Sequence, residues 1–367
     1  MPLSRIEKEE RLSSHKHRIL GSLFIVLIVG ALGCGSILNA MMSRNLDVVA
    51  EGNRPEWLVD DAIHVVLCGT GAPLLDPNRA GPCTAVIAGG KMYLVDVGPG
   101  STERSLEYRL PLAQLDGIFL THFHSDHIGE LGEAMTQSWL ASGRDTSLDV
   151  YGPDGVTDVV DGFLQAYSRD QVYRTAHHTQ QYMPKEGDHM TAHPVSPSIG
   201  EDAEVFNKDG LRVIAIRVDH EPVVPAVAYR FEYAGRSVVV SGDTDYSENL
   251  GRASHGADLL VHEVLEKKIV GTMSRAMRDR GLDRQAKLAG DVLDYHTSPQ
   301  DAVRLARDAD VSTLVFTHLV PPVPGMMARL VFLSELGEKG DVDVLVGKDG
   351  MHFRLDPEGG IDRDLLD

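Results

Sequence analysis

Three imidazoles and a carboxylate fall within six positions in Thr121-His122-Phe123-His124-Ser125-Asp126-His127, directly after the apolar run GIFL at residues 117–120. A fold that accommodates this segment must bring a buried strand to an edge where metal-type donors emerge together. His122 and His124, two apart in an extended stretch, point to one side. Asp126 and His127, in the turn that follows, can face a second point nearby. Neutral imidazole and carboxylate are donors that Zn²⁺ accepts, at roughly 2.0–2.2 Å. The three cysteines, Cys34, Cys68 and Cys83, lack CxxC spacing, so the candidate metal donors are His, Asp and Glu. Cys68 and Cys83 read as small buried hydrophobes, with a disulfide between them left open.

Six positions cannot complete two coordination spheres, so the remaining ligands are expected where other strands end. His220 follows LRVIAIRVD, Asp243 follows SVVVSG and His318 follows TLVFT. Asp243, in Gly242-Asp243-Thr244, suits a carboxylate shared by two metals. His296 lies 22 residues before His318 and just ahead of a helix opened by Pro299. It is the candidate proton donor to a leaving alcohol. His177, His178, His189 and His193 could compete as ligands, but none follows a clear strand pattern.

Strands are expected at residues 63–67, 84–88, 92–97, 117–121, 211–218, 226–233, 237–241, 258–261, 313–317, 342–346 and 351–355. Helices are expected at 128–142 and 299–308. Tyr167, Tyr173, His177 and His178 read as a lid or as core. Two layers of sheet covered by helices, within one α+β domain over residues 61–367, is the architecture this pattern implies.

Residues 19–42 carry no charge, and as a helix would span about 36 Å at roughly 1.5 Å per residue, enough to cross a bilayer. They are expected to form a single transmembrane helix, with a basic tail at 1–18 and a linker at 43–60; a cleaved signal peptide is the rival. The positive-inside bias places the N-terminus in the cytoplasm and the catalytic domain outside it, periplasmic or extracellular. With 54 acidic residues against 35 Lys and Arg, the net charge of −19 argues against a surface built for nucleic acid.

The chain resembles the metallo-β-lactamase superfamily, within it the ribonuclease Z and arylsulfatase-like branch. The resemblance rests on Gly69-Thr70-Gly71, Asp96-Val97-Gly98, the HxHxDH run, His220 ahead of Ala228-Tyr229-Arg230, Gly242-Asp243-Thr244, His262-Glu263 and Phe316-Thr317-His318. It implies the four-layer αββα sandwich and two Zn²⁺ per chain, with Mn or Fe as substitutes. It would put His122, His124 and His220 on one ion, Asp126, His127 and His318 on the other, and Asp243 between them. It further implies catalytic roles for Asp126, for His296 in Tyr295-His296-Thr297-Ser298, and for Glu263 as support to His296. Val264-Leu265 replaces the Ala-Thr of the ribonuclease Z motif.

Such a site is expected to hydrolyse an ester with a metal-bridged hydroxide. Between His127 and His220, where ribonuclease Z inserts its tRNA-binding arm, seven basic residues face fifteen acidic ones. The Ser-Arg-Tyr that follows the last metal His in that family is replaced by Leu319-Val320-Pro321-Pro322. The expectation is therefore a small sulfate ester or phosphodiester substrate of arylsulfatase or phosphodiesterase type, with nucleic acid disfavoured and a homodimer left open. A ribonuclease Z-type endoribonuclease and a non-catalytic metal-binding or sensing module are the alternatives.

Overall fold

The computed structural model describes residues 53–323 and 325–366. The expected tail at 1–18 and membrane helix at 19–42 lie outside the described residues. Among the described residues, no helix is long and apolar enough to cross a membrane.

One sheet is built from β1 (Ile63–Gly69), β2 (Cys83–Ala88), β3 (Lys91–Val95), β4 (Leu115–Phe119), β5 (Leu148–Gly152), β6 (Met190–Pro194), β14 (Met351–Leu355) and β15 (Ile361–Leu365). Its order is β15-β14-β1-β2-β3-β4-β5-β6, parallel from β3 to β6. The other contains β7 (Asp202–Lys208), β8 (Leu211–Val218), β9 (Ala226–Tyr233), β10 (Arg236–Val240), β11 (Leu259–Leu265), β12 (Thr313–Val320) and β13 (Asp343–Val346). Its order is β13-β12-β11-β10-β9-β8-β7, parallel from β10 to β13.

Period-two alternation decides the layering. Val65, Phe119, Val238, Val261 and Val315 share one buried cluster between the sheets. Their neighbours Val66 and Ile118 point the other way, into a cluster with helix residues Leu131, Met135, Val156 and Val160. On the second sheet, Val239, Leu260 and Leu314 face outward against Leu250, Ala302, Leu305 and Ala306. The α+β expectation with two sheets is met, with helices on both outer faces.

The helices are α1 (Pro55–Leu58), α2 (Ser101–Glu107), α3 (Ser125–Ile128), α4 (Leu131–Ser142), α5 (Val156–His178), α6 (Glu248–Ala253), α7 (Lys267–Arg278), α8 (Asp283–Asp291), α9 (Pro299–Asp308) and α10 (Gly325–Leu333). In α9 the Ser298 hydroxyl accepts from Asp301 N–H and Pro299 fills the first turn, the start signal its sequence carries. The helix expected at 128–142 begins only at Leu131, because Ser125–Ile128 form a separate single turn, α3, that presents Asp126 and His127. The middle region contains the 23-residue α5, which buries only Val156, Val160 and Gln171 and so lacks a continuous apolar stripe.

The linker expectation for 43–60 needs correction at its end. From Arg54 onward the chain is fastened to the sheet: Trp57 stacks on His352 at 4.3 Å and on His64 at 5.0 Å, and Arg54 donates to Tyr108 O. Cys68 and Cys83 form a disulfide joining β1 to β2.

Candidate metal centre

β8, β10, β11 and β12 all run in one direction, so the chain leaves them along one edge, and β4 delivers its own carboxyl end beside it. Val227 N–H donates to Thr121 O and the Tyr229 hydroxyl to Leu120 O, tying the two sheets together there. Gly242 takes a φ of 59°, and a Cβ on it would stand 2.6 Å from the Thr121 side chain. Only glycine therefore lets the Asp243 turn approach the end of β4. His318 is held at a φ of 45° inside β12, where Glu263 pairs with Thr317 and Val264 with Leu319. The extra residue is a bulge that aims the imidazole out of the ladder.

Asp243 Oδ2 is the hub. It lies 3.4 Å from His127 Nε2, 3.4 Å from His318 Nε2, 3.8 Å from His122 Nε2 and 3.9 Å from His220 Nε2. Asp126 Oδ2 stands 3.3 Å from His318 Nε2 and 3.5 Å from His127 Nε2. His122 Nε2 and His124 Nδ1 converge to 2.9 Å. Two donor groups match the expected ligand sets, His122, His124, His220 and Asp243 in one and Asp126, His127 and His318 in the other, and a third, overlapping group joins Asp243 and His318 to His296. His127 Nε2, His220 Nε2 and Asp243 Oδ1 are buried without a hydrogen-bond partner. Orphaned lone pairs aimed at a common point are costly unless a cation takes them, so the donor set fits a metal site.

Electrostatics favours the ligating forms of His122, His124, His220 and Asp243. Burial holds His122 well below the usual imidazole range, and lowers His124 and His220 as well, leaving neutral rings. Burial opposes the charge on Asp243, but His318, His127 and His122 outweigh it and keep the carboxylate ionised. Burial likewise opposes a cation on His127, yet Asp243 and Asp96 raise its pKa well above the ordinary value. The pocket therefore attracts positive charge.

Sequence reasoning assigned no role to Asp96, at the end of β3. Its Oδ2 binds His127 Nδ1 at 2.8 Å, and its two oxygens accept from Thr121 N–H and Oγ1–H. A carboxylate behind a ligating imidazole fixes its tautomer and direction. The Asp96-Val97-Gly98 motif was visible, but the partner 31 residues away was not. The Tyr295 carbonyl does the same for His220, accepting from Nδ1 at 3.0 Å.

His296 and Glu263 also reach the cluster. His296 Nδ1 meets Glu263 Oε1 at 3.0 Å, and the same oxygen accepts from Thr244 and Thr297 N–H. Burial disfavours the imidazolium, but the Glu263 and Asp243 carboxylates push the pKa of His296 up to about 9. His296 can hold a proton at Nε2 beside the cluster. By contrast His193 bonds Asp149, His189 pairs with Asp188, and His177 and His178 are exposed at the end of α5. None joins the centre. The lid reading also needs correction: neither they nor Tyr167 and Tyr173 line the cleft.

A cleft of about 560 Å³ opens over the cluster, with His124, Asp126, Asp243, His296 and His318 on its floor. Leu74, Val270, Met273, Met277, Leu288 and Val320 form apolar walls. Leu74 and Pro73 come from the turn after Gly69-Thr70-Gly71, which Asp349 pins through Thr70 N–H and Oγ1–H.

The sequence profile of the Beta-lactamase superfamily domain matches residues 91–319, more than half of the chain. The chain belongs to the β-lactamase superfamily. Among its relatives in that superfamily is a protein named Ribonuclease Z from Mycobacterium marinum, 38% identical over 263 residues, which are 71% of this chain and 88% of that protein. Another Ribonuclease Z, from Mycobacterium bovis, is 35% identical over 77% of this chain and 95% of its own. Human tRNase Z, short form, shares the fold with a TM-score of 0.57 at 20% identity, over 79% of this chain and 98% of its own. The Bacillus subtilis metallo-beta-lactamase fold protein YhfI does so with a TM-score of 0.56 at 19% identity, over 83% of this chain and all of its own.

These relatives correct two expectations. A small-molecule ester partner with nucleic acid disfavoured does not stand against relatives named as ribonucleases. Segment charge is not site charge: among the described residues lining the cleft none lies between 128 and 242, so the acidic count there does not describe the cleft. The single-pass placement with the catalytic domain outside the cytoplasm is also withdrawn. It rested on residues 19–42, outside the described residues; no described helix can cross a membrane, and the homologous domains are named Ribonuclease Z. The arylsulfatase and phosphodiesterase reading gives way to the ribonuclease alternative.

Proposed function

We propose that this superfamily hydrolase is a ribonuclease Z-type endoribonuclease that cuts a phosphodiester of precursor tRNA, within a hydrolase domain at residues 61–367. The likeness to proteins named Ribonuclease Z over 88% and 95% of their lengths carries this reading. His122, His124 and His220 would hold one zinc ion and Asp126, His127 and His318 a second, with Asp243 within reach of both groups. When bound, such ions supply Lewis-acid polarisation and a water acidified towards neutrality.

The chain's own residues do the rest. Asp96 and the Tyr295 carbonyl hold two of the imidazoles in their ligating direction. Asp126 orients the attacking water on the side of the cluster facing the cleft. His296, kept protonated by Glu263, gives its Nε2 proton to the leaving 3′ oxygen, so that a hydroxyl rather than an alkoxide departs.

The test is cleavage of the 3′ trailer from a precursor tRNA by metal-loaded protein at physiological salt. Wild type is expected to cleave, and His296→Ala to lose about 10²–10⁴-fold in kcat with metal content unchanged. Bound metal with no cleavage by wild type would sink the reading and favour a binding module.

A further inference from the structure

The α7–α8 hairpin stands between Glu263 and His296 in the chain and forms a wall of the cleft. Its inner face is apolar: Val270, Met273 and Met277 on α7 meet Leu288 and Val292 from α8 and the residue after it. Its charge runs against that of the molecule. Residues 266–292 hold seven basic and four acidic side chains, in a chain whose total is −19.

Three of the seven are lysines already paired, Lys267 with Asp245, Lys268 with Glu335 and Lys287 with Asp291. The four arginines are exposed, and among the described residues no carboxylate pairs with any of them. Arg275 donates to the Thr272 hydroxyl and Arg280 to the Ala276 carbonyl, each on its own helix. Arg284 lies one turn before Leu288 on α8 and so borders the apolar wall, Arg278 stands about 100° round α7 from Met277 on its flank, and Arg275, two residues from both Met273 and Met277, is on the opposite face.

We propose that the α7–α8 hairpin is the surface that holds single-stranded RNA beside the scissile phosphodiester. Arg278 and Arg284 take the phosphates, and an unpaired base seats against Met273, Met277 and Leu288. Arginine forks match phosphate oxygens, and a base offers the flat apolar faces that such a wall covers. Gln285, at the rim, supplies both a donor and an acceptor for a base edge. No other charged side chain lines this cleft apart from Asp126 and Asp243 and the histidines on its floor. The proposal rests on the ribonuclease reading and moves the RNA grip from the acidic 128–219 segment to this hairpin.

Fluorescence anisotropy of metal-loaded protein with a short fluorescein-labelled single-stranded RNA, across a salt series, tests it without turnover. The double variant Arg278→Ala, Arg284→Ala is expected to weaken binding about 10-fold or more and to flatten the salt slope by about 0.7 for each phosphate no longer neutralised. Met277→Ser is expected to keep the slope and to erase the preference for RNA over its abasic counterpart. Arg169→Ala, exposed on α5 away from the cleft, is expected to change neither, and unaltered circular dichroism melts check folding.

Unchanged affinity and slope in the double variant, or no RNA binding by wild type, overturns the proposal. Equal affinity of wild type for polyglutamate or for anionic phosphatidylserine vesicles at matched salt overturns the RNA assignment. If the variants lose RNA binding as expected and wild type still fails to cut precursor tRNA, the nuclease reading falls and the RNA surface stands. If precursor tRNA is cut and the variants bind RNA normally, the hairpin proposal falls alone.

Discussion

Four imidazoles lie within 3.9 Å of one oxygen of Asp243, which makes that carboxylate the residue on which both donor groups depend. Asp243→Asn removes the charge while keeping the shape, and elemental analysis is expected to fall from about two metal ions per chain to one or fewer. In the proposed mechanism Glu263 acts through His296, whose Nδ1 it meets at 3.0 Å. Its carboxylate raises the His296 pKa, so the acid form persists to higher pH than an unassisted imidazole allows. Activity that needs that proton falls as pH rises through this pKa. Glu263→Gln is therefore expected to shift the alkaline limb of the pH–rate profile to lower pH with metal content retained; an unmoved limb would remove Glu263 from the proton path. Asp96 lay beyond sequence reasoning because a carboxylate behind a histidine differs from one at a turn only through its partner.

At the scale of elements, β1 is clamped on both sides. The disulfide between Cys68 and Cys83 closes a 15-residue separation around the turn that carries Pro73 and Leu74 to the cleft. Reducing it is expected to cost about 3 kcal/mol in denaturant unfolding, the chain-entropy value for a loop of that size. On the other side, His64 Nδ1 and His352 Nε2 meet at 3.0 Å beneath Trp57, with Asp60 and Asp364 on their outer nitrogens and Arg354 nearby. Burial lowers His64 from 6.5 to about 4, the neighbouring His352 lowering it further while Asp60 opposes. The unfolded chain thus binds a proton that the folded one refuses, and stability drops as pH falls from about 6.5 towards 4. Thermal midpoints measured across that window should decline, and less steeply in His64→Gln. The α7–α8 hairpin shows the limit of pattern reading at this scale. Val270, Met273 and Met277 carry helical spacing, but spacing does not say that the face they share borders a metal centre rather than the core.

At the scale of the molecule, the cluster draws candidate ligands from both sheets: His122, His124, Asp126 and His127 follow β4 of the first, while His220, Asp243 and His318 belong to strands or strand ends of the second. Metal bound there would join the two layers. Chelation is expected to lower the thermal midpoint, since ligand at a hundredfold excess over its Kd contributes about 2.7 kcal/mol. A midpoint indifferent to chelator would mean that the layers hold without it. The sequence by itself supplied the candidate donors and most of the strands that carry them, because side-chain chemistry and period-two alternation are local properties. It offered no means to choose the partner. Charge counted along the chain differs from charge facing a cleft, and only the packing of two sheets, with a hairpin folded over their common edge, decided which residues a substrate meets. Convergence of groups far apart in sequence is a product of long-range burial, and no local pattern encodes it.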